Sequence, residues 1–140
     1  MNLSELVLER KIFDIKIGES LTHNLEIITE EDGDIPGISG FYIRDYFFEI
    51  LVANGIVVGI QFDFRYETVK PSFLEFGEIE IVLSENTRLK DFTEYLEKIN
   101  IEFEIIESKL ESKKVTLKKS NASFYFDDDN HKLFKLSILK

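Results

Sequence analysis

Hydrophobic and polar residues alternate most clearly along two neighbouring runs in the first half of the chain, Tyr46–Val52 and Ile56–Phe64. The dipeptide Asn-Gly at positions 54 and 55 separates them, and this arrangement predicts a β-hairpin. A two-residue loop would place Val52 opposite Val57 and the apolar side chains of the second strand beside Glu49. A three-residue loop with Gly55 in the left-handed conformation places Val52 opposite Ile56 instead, so we predict that loop.

This register gives the predicted hairpin one apolar face for the core. The opposite face, which carries Phe47, Glu49, Gln61 and Asp63, is left available to a partner.

The same periodicity, read along the rest of the chain, predicts a series of short elements. Before the hairpin these are a helix capped by Ser4 or a strand lead-in over Glu5–Arg10, a strand over Ile12–Ile17, a short helix from Ser20 to Ile28, and an acidic loop over Glu30–Gly40. After it they are a connector over Arg65–Gly77, a strand over Glu78–Leu83, a helix capped by Asn86 or Thr87 over Leu89–Ile99 and stopping at Asn100, a strand over Ile101–Ile105, a polar turn over Ser108–Lys114, a strand over Val115–Lys118, and a hairpin pairing Ser123–Phe126 with Leu133–Ile138.

The two halves of the chain follow one plan of strand, helix and hairpin. Residues 15–19 correspond to residues 81–85, and residues 56–62 correspond to residues 132–138. We therefore predict a single α+β domain over residues 1–140, with a mostly antiparallel sheet built from two tandem strand-helix-hairpin repeats and the helices packed on one face. The pseudo-repeats span 12–66 and 77–140 and are joined by a Pro-containing connector near 67–76. The alternative is that any α+β chain yields such a match by chance.

Composition adds a strong acidic character to this picture. The chain has 140 residues, a net charge of −10 and a hydrophobic content of 44%, which is too apolar for a disordered chain. Residues 1–70 carry 13 acidic and 6 basic side chains, against 14 and 11 in residues 71–140. Such a field repels nucleic acid and membrane surfaces and attracts basic partners. A simpler interpretation is that the charge keeps a Phe-rich domain in solution.

Motifs for catalysis or metal binding do not emerge from the sequence. The chain has no Cys, and its two histidines, His23 and His131, lie far apart without a nucleophile motif. The acidic run Asp127–Asn130 does not continue into a calcium-binding loop, because Lys132 and Ile138 occupy the positions that need Gly and Glu. We predict no catalytic, cofactor-binding or metal-binding residues. The lysines between 109 and 119 are predicted to line a solvated sheet edge, and the N-terminal residues lack a signal-peptide pattern, which predicts a soluble cytoplasmic protein.

Four stretches carry a resemblance to a known class of proteins. They are Ile15–Leu21, Glu49–Gln61, Phe92–Ile105 and Ser123–Ile138. Together with the acidic Gly/Pro loop, they resemble small immunity proteins of bacterial polymorphic toxin systems, including contact-dependent growth inhibition. The arrangement is also similar to the tandem helix-plus-sheet units of β-lactamase inhibitor protein-like folds. The resemblance covers most of residues 13–140.

The resemblance implies a non-enzymatic cytoplasmic protein without cofactors that binds one cognate toxin domain and blocks it. The acidic charge agrees with a basic nuclease as that toxin and with no direct contact to nucleic acid or membrane. We further expect a monomer or weak homodimer. We predict a partner-binding patch at Glu30, Glu31, Asp32 and Asp34, and with lower priority at Asp45, Glu49 and Asp63. The alternatives are an assembly protein whose sheet pairs with itself and a small-molecule-binding or enzymatic α+β domain.

Overall fold

The computed structural model describes residues 1–21, 27–32, 37–43, 48–65, 71–108 and 112–140. The described part of the chain contains two helices and twelve strands. In chain order they are α1 (Ser4–Glu9), β1 (Lys11–Ile12), β2 (Ile15–Lys16), β3 (Ile27–Asp32), β4 (Ser39–Ile43), β5 (Phe48–Ala53), β6 (Ile56–Asp63), β7 (Ser72–Phe76), β8 (Ile79–Leu83), α2 (Leu89–Lys98), β9 (Phe103–Ser108), β10 (Ser112–Leu117), β11 (Ser123–Asp127) and β12 (Leu133–Leu139).

Eight of these strands form one antiparallel sheet in the order β3-β4-β5-β6-β12-β11-β10-β9. The remaining four strands form two small hairpins, β1-β2 and β7-β8. The predicted α+β class with a mostly antiparallel sheet is therefore confirmed.

The strand order divides the large sheet into two four-stranded meanders that meet where β6 pairs with β12. Each meander also receives an equivalent pair of backbone hydrogen bonds at the start of its last strand. In the first half, Leu21 N donates to Gly55 O at 3.1 Å and Val57 N donates to Glu19 O at 2.9 Å. In the second half, Leu89 N donates to His131 O at 2.9 Å and Leu133 N donates to Thr87 O at 2.8 Å. The tandem repeat itself stays a prediction, and this symmetry supports it.

The β5-β6 hairpin differs from the predicted register. Asn54 and Gly55 form a two-residue loop, with both backbones left-handed at φ 52° and 76°, as in a type I′ turn. Val52 pairs with Val57, so the predicted three-residue loop is wrong. A bulge brings the two apolar faces together instead. Val58 is the extra residue, because Leu51 pairs with Gly59 while Val52 pairs with Val57. Beyond the bulge, the paired apolar side chains of both strands lie on one face of the sheet.

The face of the sheet that carries Phe48 and Phe124 forms the core. Both rings are fully buried, and Phe48 stacks on Phe62 with ring centroids 4.9 Å apart. Helix α2 covers the second meander, where Phe92 contacts Phe124 at a centroid distance of 4.5 Å. Apolar residues of α1 and of both small hairpins belong to the same core cluster, so these elements pack on the helical side of the sheet.

Helix α2 follows the predicted amphipathic pattern, since Phe92, Tyr95 and Leu96 are buried. The predicted side-chain caps are wrong: Thr87 Oγ1 donates to Val82 O at 3.0 Å and so fixes the turn before the helix. The predicted stop is confirmed, because Asn100 adopts a left-handed φ of 58° just beyond the helix. Tyr95 anchors the helix to the β7-β8 hairpin by donating to Ile79 O at 2.9 Å.

Helix α1 confirms the helical alternative for the N-terminal segment, although Ser4 does not cap it. Its hydroxyl instead donates to Glu75 O at 3.0 Å and accepts from Glu75 N at 2.8 Å, which ties the helix to β7. The predicted strand over Ile12–Ile17 is interrupted by a turn at Phe13, whose φ is 51°, and becomes the β1-β2 hairpin. The alternating pattern does not reveal this turn, because Phe rarely adopts a left-handed backbone conformation.

Three predicted loops contain strands. Glu30, Glu31 and Asp32 lie in β3, which pairs with β4 at one edge of the sheet, where acidic side chains are tolerated. The predicted connector contains β7, and the predicted polar turn contains the start of β10. Strand β10 lies inside the sheet, so the lysines at 113 and 114 do not line its edge; β9 occupies that position. Residues 22–26 of the predicted helix after Ser20 lie outside the described residues, and Ile28 lies in β3.

Candidate protein-binding face

The face of the large sheet opposite the core, here called the outer face, carries a continuous polar row. Strand register places one residue from each of seven adjacent strands, β4 to β9 across the sheet, in this row. Its members are Tyr42, Glu49, Gln61, Ser137, Ser123, Thr116 and Glu104. The polar row exists because each strand alternates core and outer side chains, and the seven strands are aligned in phase.

Small hydroxyl side chains occupy the centre of the polar row. Ser137 and Ser123 are 5% and 8% exposed, and Ser123 Oγ lies 2.9 Å from Thr116 Oγ1. Larger side chains stand at both ends of the row. The polar row therefore has small side chains at its centre and larger ones at its two ends.

A depression of about 270 Å³ lies on the first-meander side of the outer face. Glu49, Tyr42 and Gln61 belong to its lining, and the Tyr42 hydroxyl donates to Glu49 Oε2 at 2.7 Å. Gly40 lies under the Glu49 side chain, since a Cβ there would come within 3.3 Å of that carboxyl group. The Tyr42 hydrogen bond and this close packing orient the carboxylate within the depression.

Asp63, Arg65 and Lys135 also line the depression. Arg65 donates two hydrogen bonds to the Asp63 carboxylate, with Nε 2.9 Å from Oδ1 and Nη2 2.5 Å from Oδ2. The guanidinium group also lies 5.4 Å from the centre of the Phe134 ring. Burial raises the pKa of the Asp63 carboxyl, but the hydrogen bonds and charge of Arg65, aided by Lys135, outweigh it and hold the pKa below its usual value of 3.8.

Replacing Arg65 with Gln is expected to raise the pKa of Asp63, because burial raises this pKa and the charge of Arg65 that opposes the effect of burial is removed. In the unchanged protein the folded-state pKa is depressed, so ionised Asp63 stabilises the fold above its unfolded pKa, and this contribution is lost as pH falls through the folded pKa. An NMR titration of the Asp63 carboxyl carbon measures the shift directly. Lys135→Gln is the control and should raise the pKa less, since Lys135 contributes least; an unchanged pKa in Arg65→Gln would contradict the assignment.

Arg65 also borders a second depression of about 340 Å³ beside the loop between β11 and β12. Its lining contains charges of both signs, from Lys132, Asp127 and Glu85, and the neutral amide of Asn130. Asp127 Oδ1 accepts hydrogen bonds from Asp129 N at 2.8 Å and Asn130 N at 3.3 Å, so this carboxylate caps its own turn.

The predicted partner-binding residues fall into three groups. Glu49 and Asp63 both line the depression on the outer face. Glu30, Glu31 and Asp32 lie along edge strand β3, next to the first meander's β4. Asp34, Asp45 and Phe47 lie outside the described residues.

Sequence reasoning missed three contributors to this site: Tyr42, Arg65 and Lys135. The Asp-Phe-Arg sequence at 63–65 was a usable signal, because a basic side chain two residues from an acidic one is close enough to pair with it, as Arg65 does with Asp63. Tyr42 and Lys135 required the strand register, which links positions far apart in the chain.

No group of three or more His, Asp or Glu in the described segments is arranged to hold a metal ion. Neither of the described helices is long and apolar enough to cross a membrane. Comparison of the chain with protein-family models, with curated proteins and with solved structures gives no match.

Proposed function

We propose that this chain is an immunity protein that binds a basic toxin domain and neutralises it by occlusion, using the outer face of the large sheet. The observation that carries this proposal is the depression in which Glu49 is held on an otherwise open polar sheet face, in a chain with a net charge of −10. A lysine or arginine of the partner would enter this depression and pair with Glu49. The pattern resemblance to immunity proteins supplies the toxin as the partner class.

The electrostatics of the depression single out Glu49 over Asp63. Arg65 already neutralises Asp63 at 2.5 Å, so this carboxylate has less to offer an incoming cation. Glu49 has no ion pair among the described residues, and its hydrogen-bond donor, the Tyr42 hydroxyl, carries no charge that would neutralise the carboxylate. A partially screened carboxylate at the centre of an interface is the type of group that governs the dissociation rate, whereas the edge acids govern steering.

The first experiment asks whether this chain protects cells. Co-expression with the product of the open reading frame immediately upstream should permit growth that the upstream product alone prevents, and the two proteins should co-purify. Absence of both protection and co-purification would overturn the proposed function.

The second experiment locates the contact. Glu49→Lys is expected to speed dissociation at least tenfold, while reversal of Glu30, Glu31, Asp32 and Asp34 to Lys is expected to slow association about tenfold at low salt and to flatten its salt dependence. Stopped-flow kinetics measure both rates. The matched control reverses Asp91, Glu94 and Glu97, which are exposed on α2 on the other side of the molecule. Equal losses in the control would remove the outer face from the proposal.

A further inference from the structure

Strand β9 is the terminal strand of the large sheet on the second-meander side. Its pairing with β10 fixes which backbone groups face outward. Lys118 N donates to Glu102 O at 3.0 Å, so residue 102 points its backbone groups towards β10. The register from Phe103 to Ser108 has no shift, and alternation along a strand then directs the N–H and C=O of Phe103, Ile105 and Glu107 away from the sheet.

The side chains of β9 leave apolar surface at this edge. Ile105 is 53% exposed and Ile106 is 40% exposed, on opposite faces of the sheet. Ile105 lies beside Val115, which is fully buried, so the core ends at Ile105 without a cover from the described elements. An added strand would bury both isoleucines and satisfy the outward backbone groups together.

Strand β9 also lacks the residues that commonly prevent another strand from pairing with a sheet edge. Exposed edges are commonly blocked by Lys, Pro or a bulge. Strand β9 contains neither Lys nor Pro and pairs without a bulge; its only charged residues are Glu104 and Glu107. Both are exposed, and the charge they present is of one sign.

The negative charge of β9 determines what kind of strand can pair with its free edge. Pairing with a second copy of the chain requires outward residues to face outward residues, and the longest such register centres on Ile105. In that register Glu104 lies diagonally beside Glu104 of the other copy, and the two molecules each carry a net charge of −10. Like charges crowded at a strand pair destabilise it, whereas a basic strand forms opposite-charge pairs there.

We propose that β9 accepts an extended basic segment of a protein partner as a ninth strand of the sheet. Opposite residues 104 to 107, that segment presents a basic, an apolar, an apolar and a basic side chain. The pattern reads the same in either direction. This edge is separate from the depression around Glu49, and the proposal does not depend on the proposed function.

The test uses the full-length, nitrogen-15-labelled protein and a synthetic peptide, Thr-Lys-Val-Val-Lys-Thr, with a Glu-for-Lys peptide as its control. Binding is expected to slow amide hydrogen exchange at least tenfold at Phe103, Ile105 and Glu107, and to leave Glu104 and Ile106 unchanged because β10 already pairs with them. Absence of this alternating protection, or equal protection by the acidic peptide, would overturn the proposal.

Two variants keep the test decisive. Ile105→Pro removes an outward N–H that β10 does not use, so the protein should fold and lose peptide binding, whereas Ile106→Pro breaks the pairing with β10 and should destabilise the fold. The double charge reversal Glu104→Lys with Glu107→Lys should switch the preference to the acidic peptide, and it provides the answer if the proline variant does not fold. Concentration-dependent dimerisation that Ile105→Pro abolishes would identify a second copy as the occupant and overturn the proposal.

Discussion

Deletion of Gln61 is expected to lower the free energy of unfolding by at least about 2–5 kcal/mol, whereas deletion of Val58, three residues earlier, is expected to be tolerated at a smaller cost. Val58 is the extra residue of the bulge, because Val52 pairs with Val57 and Leu51 pairs with Gly59. Removing it joins two stretches of ladder that are already in register. The loss is the hydrogen bond from Lys140 N to Val58 O at 2.8 Å and local backbone adjustment, about 1–2 kcal/mol.

Gln61 lies in a regular part of the ladder, so its removal shifts one side of strand β6 by one residue. If the residues after the deletion slip, Phe62 and Phe64 turn to the outer face; if the residues before it slip and absorb the bulge, Ile60 turns outward and Gly59 enters the core. Each large core side chain lost costs about 2–5 kcal/mol, against a total stability of about 5–15 kcal/mol. Thermal unfolding followed by circular dichroism compares the two deletions. Equal stability of both variants would show that Val58 is not an extra residue in the ladder.

Replacement of Phe124 with Ala is expected to lower the free energy of unfolding by about 3–5 kcal/mol. Phe124 is fully buried near the middle of the second meander, and its ring lies 4.5 Å from that of Phe92 on α2. The substitution therefore opens a cavity where the helix meets the sheet and removes an aromatic pair as well. Urea unfolding, analysed by linear extrapolation, measures the loss.

A neighbouring residue provides the control for Phe124. Tyr125 is a large aromatic residue on the same strand but points to the outer face, where its ring lies 5.7 Å from Lys135 Nζ. Tyr125→Ala should cost less than about 2 kcal/mol, because no enclosed cavity forms. Phe124→Leu should fall between the two alanine variants. Similar losses for Phe124→Ala and Tyr125→Ala would contradict the assignment of the core to one face.

Local periodicity was enough to predict the elements whose neighbours lie close in the chain. The β5-β6 hairpin, helix α2 and the β11-β12 hairpin were all visible, because Asn54-Gly55, the Phe92 stripe and the alternation around Phe124 are short-range signals. Strand β3 was missed because acidic residues are unusual in strands, and the pairing that places β3 at the sheet edge is not a local signal.

The candidate site was predictable only in part for a similar reason. The alternation of β5 and β6 placed Glu49, Gln61 and Asp63 on one face, as the register confirms. The depression itself depends on β4 and β12, which bring Tyr42 and Lys135 to these residues through pairings that no local pattern encodes. The bulge was equally hidden, since a longer loop and a bulge correct the same phase error.

The seam between β6 and β12 has a kinetic consequence. Within each meander, hairpins can close over short loops, but the seam joins residues 59–63 to residues 135–139 and closes only when most of the chain has been gathered. Non-local pairing of this kind slows folding, so the two halves should acquire local order before they dock. Until the two halves dock, β6 and β12 are unpaired sheet edges, and each can pair with the complementary strand of another copy of the chain. At high protein concentration, docking within one chain therefore competes with exchange of halves between chains.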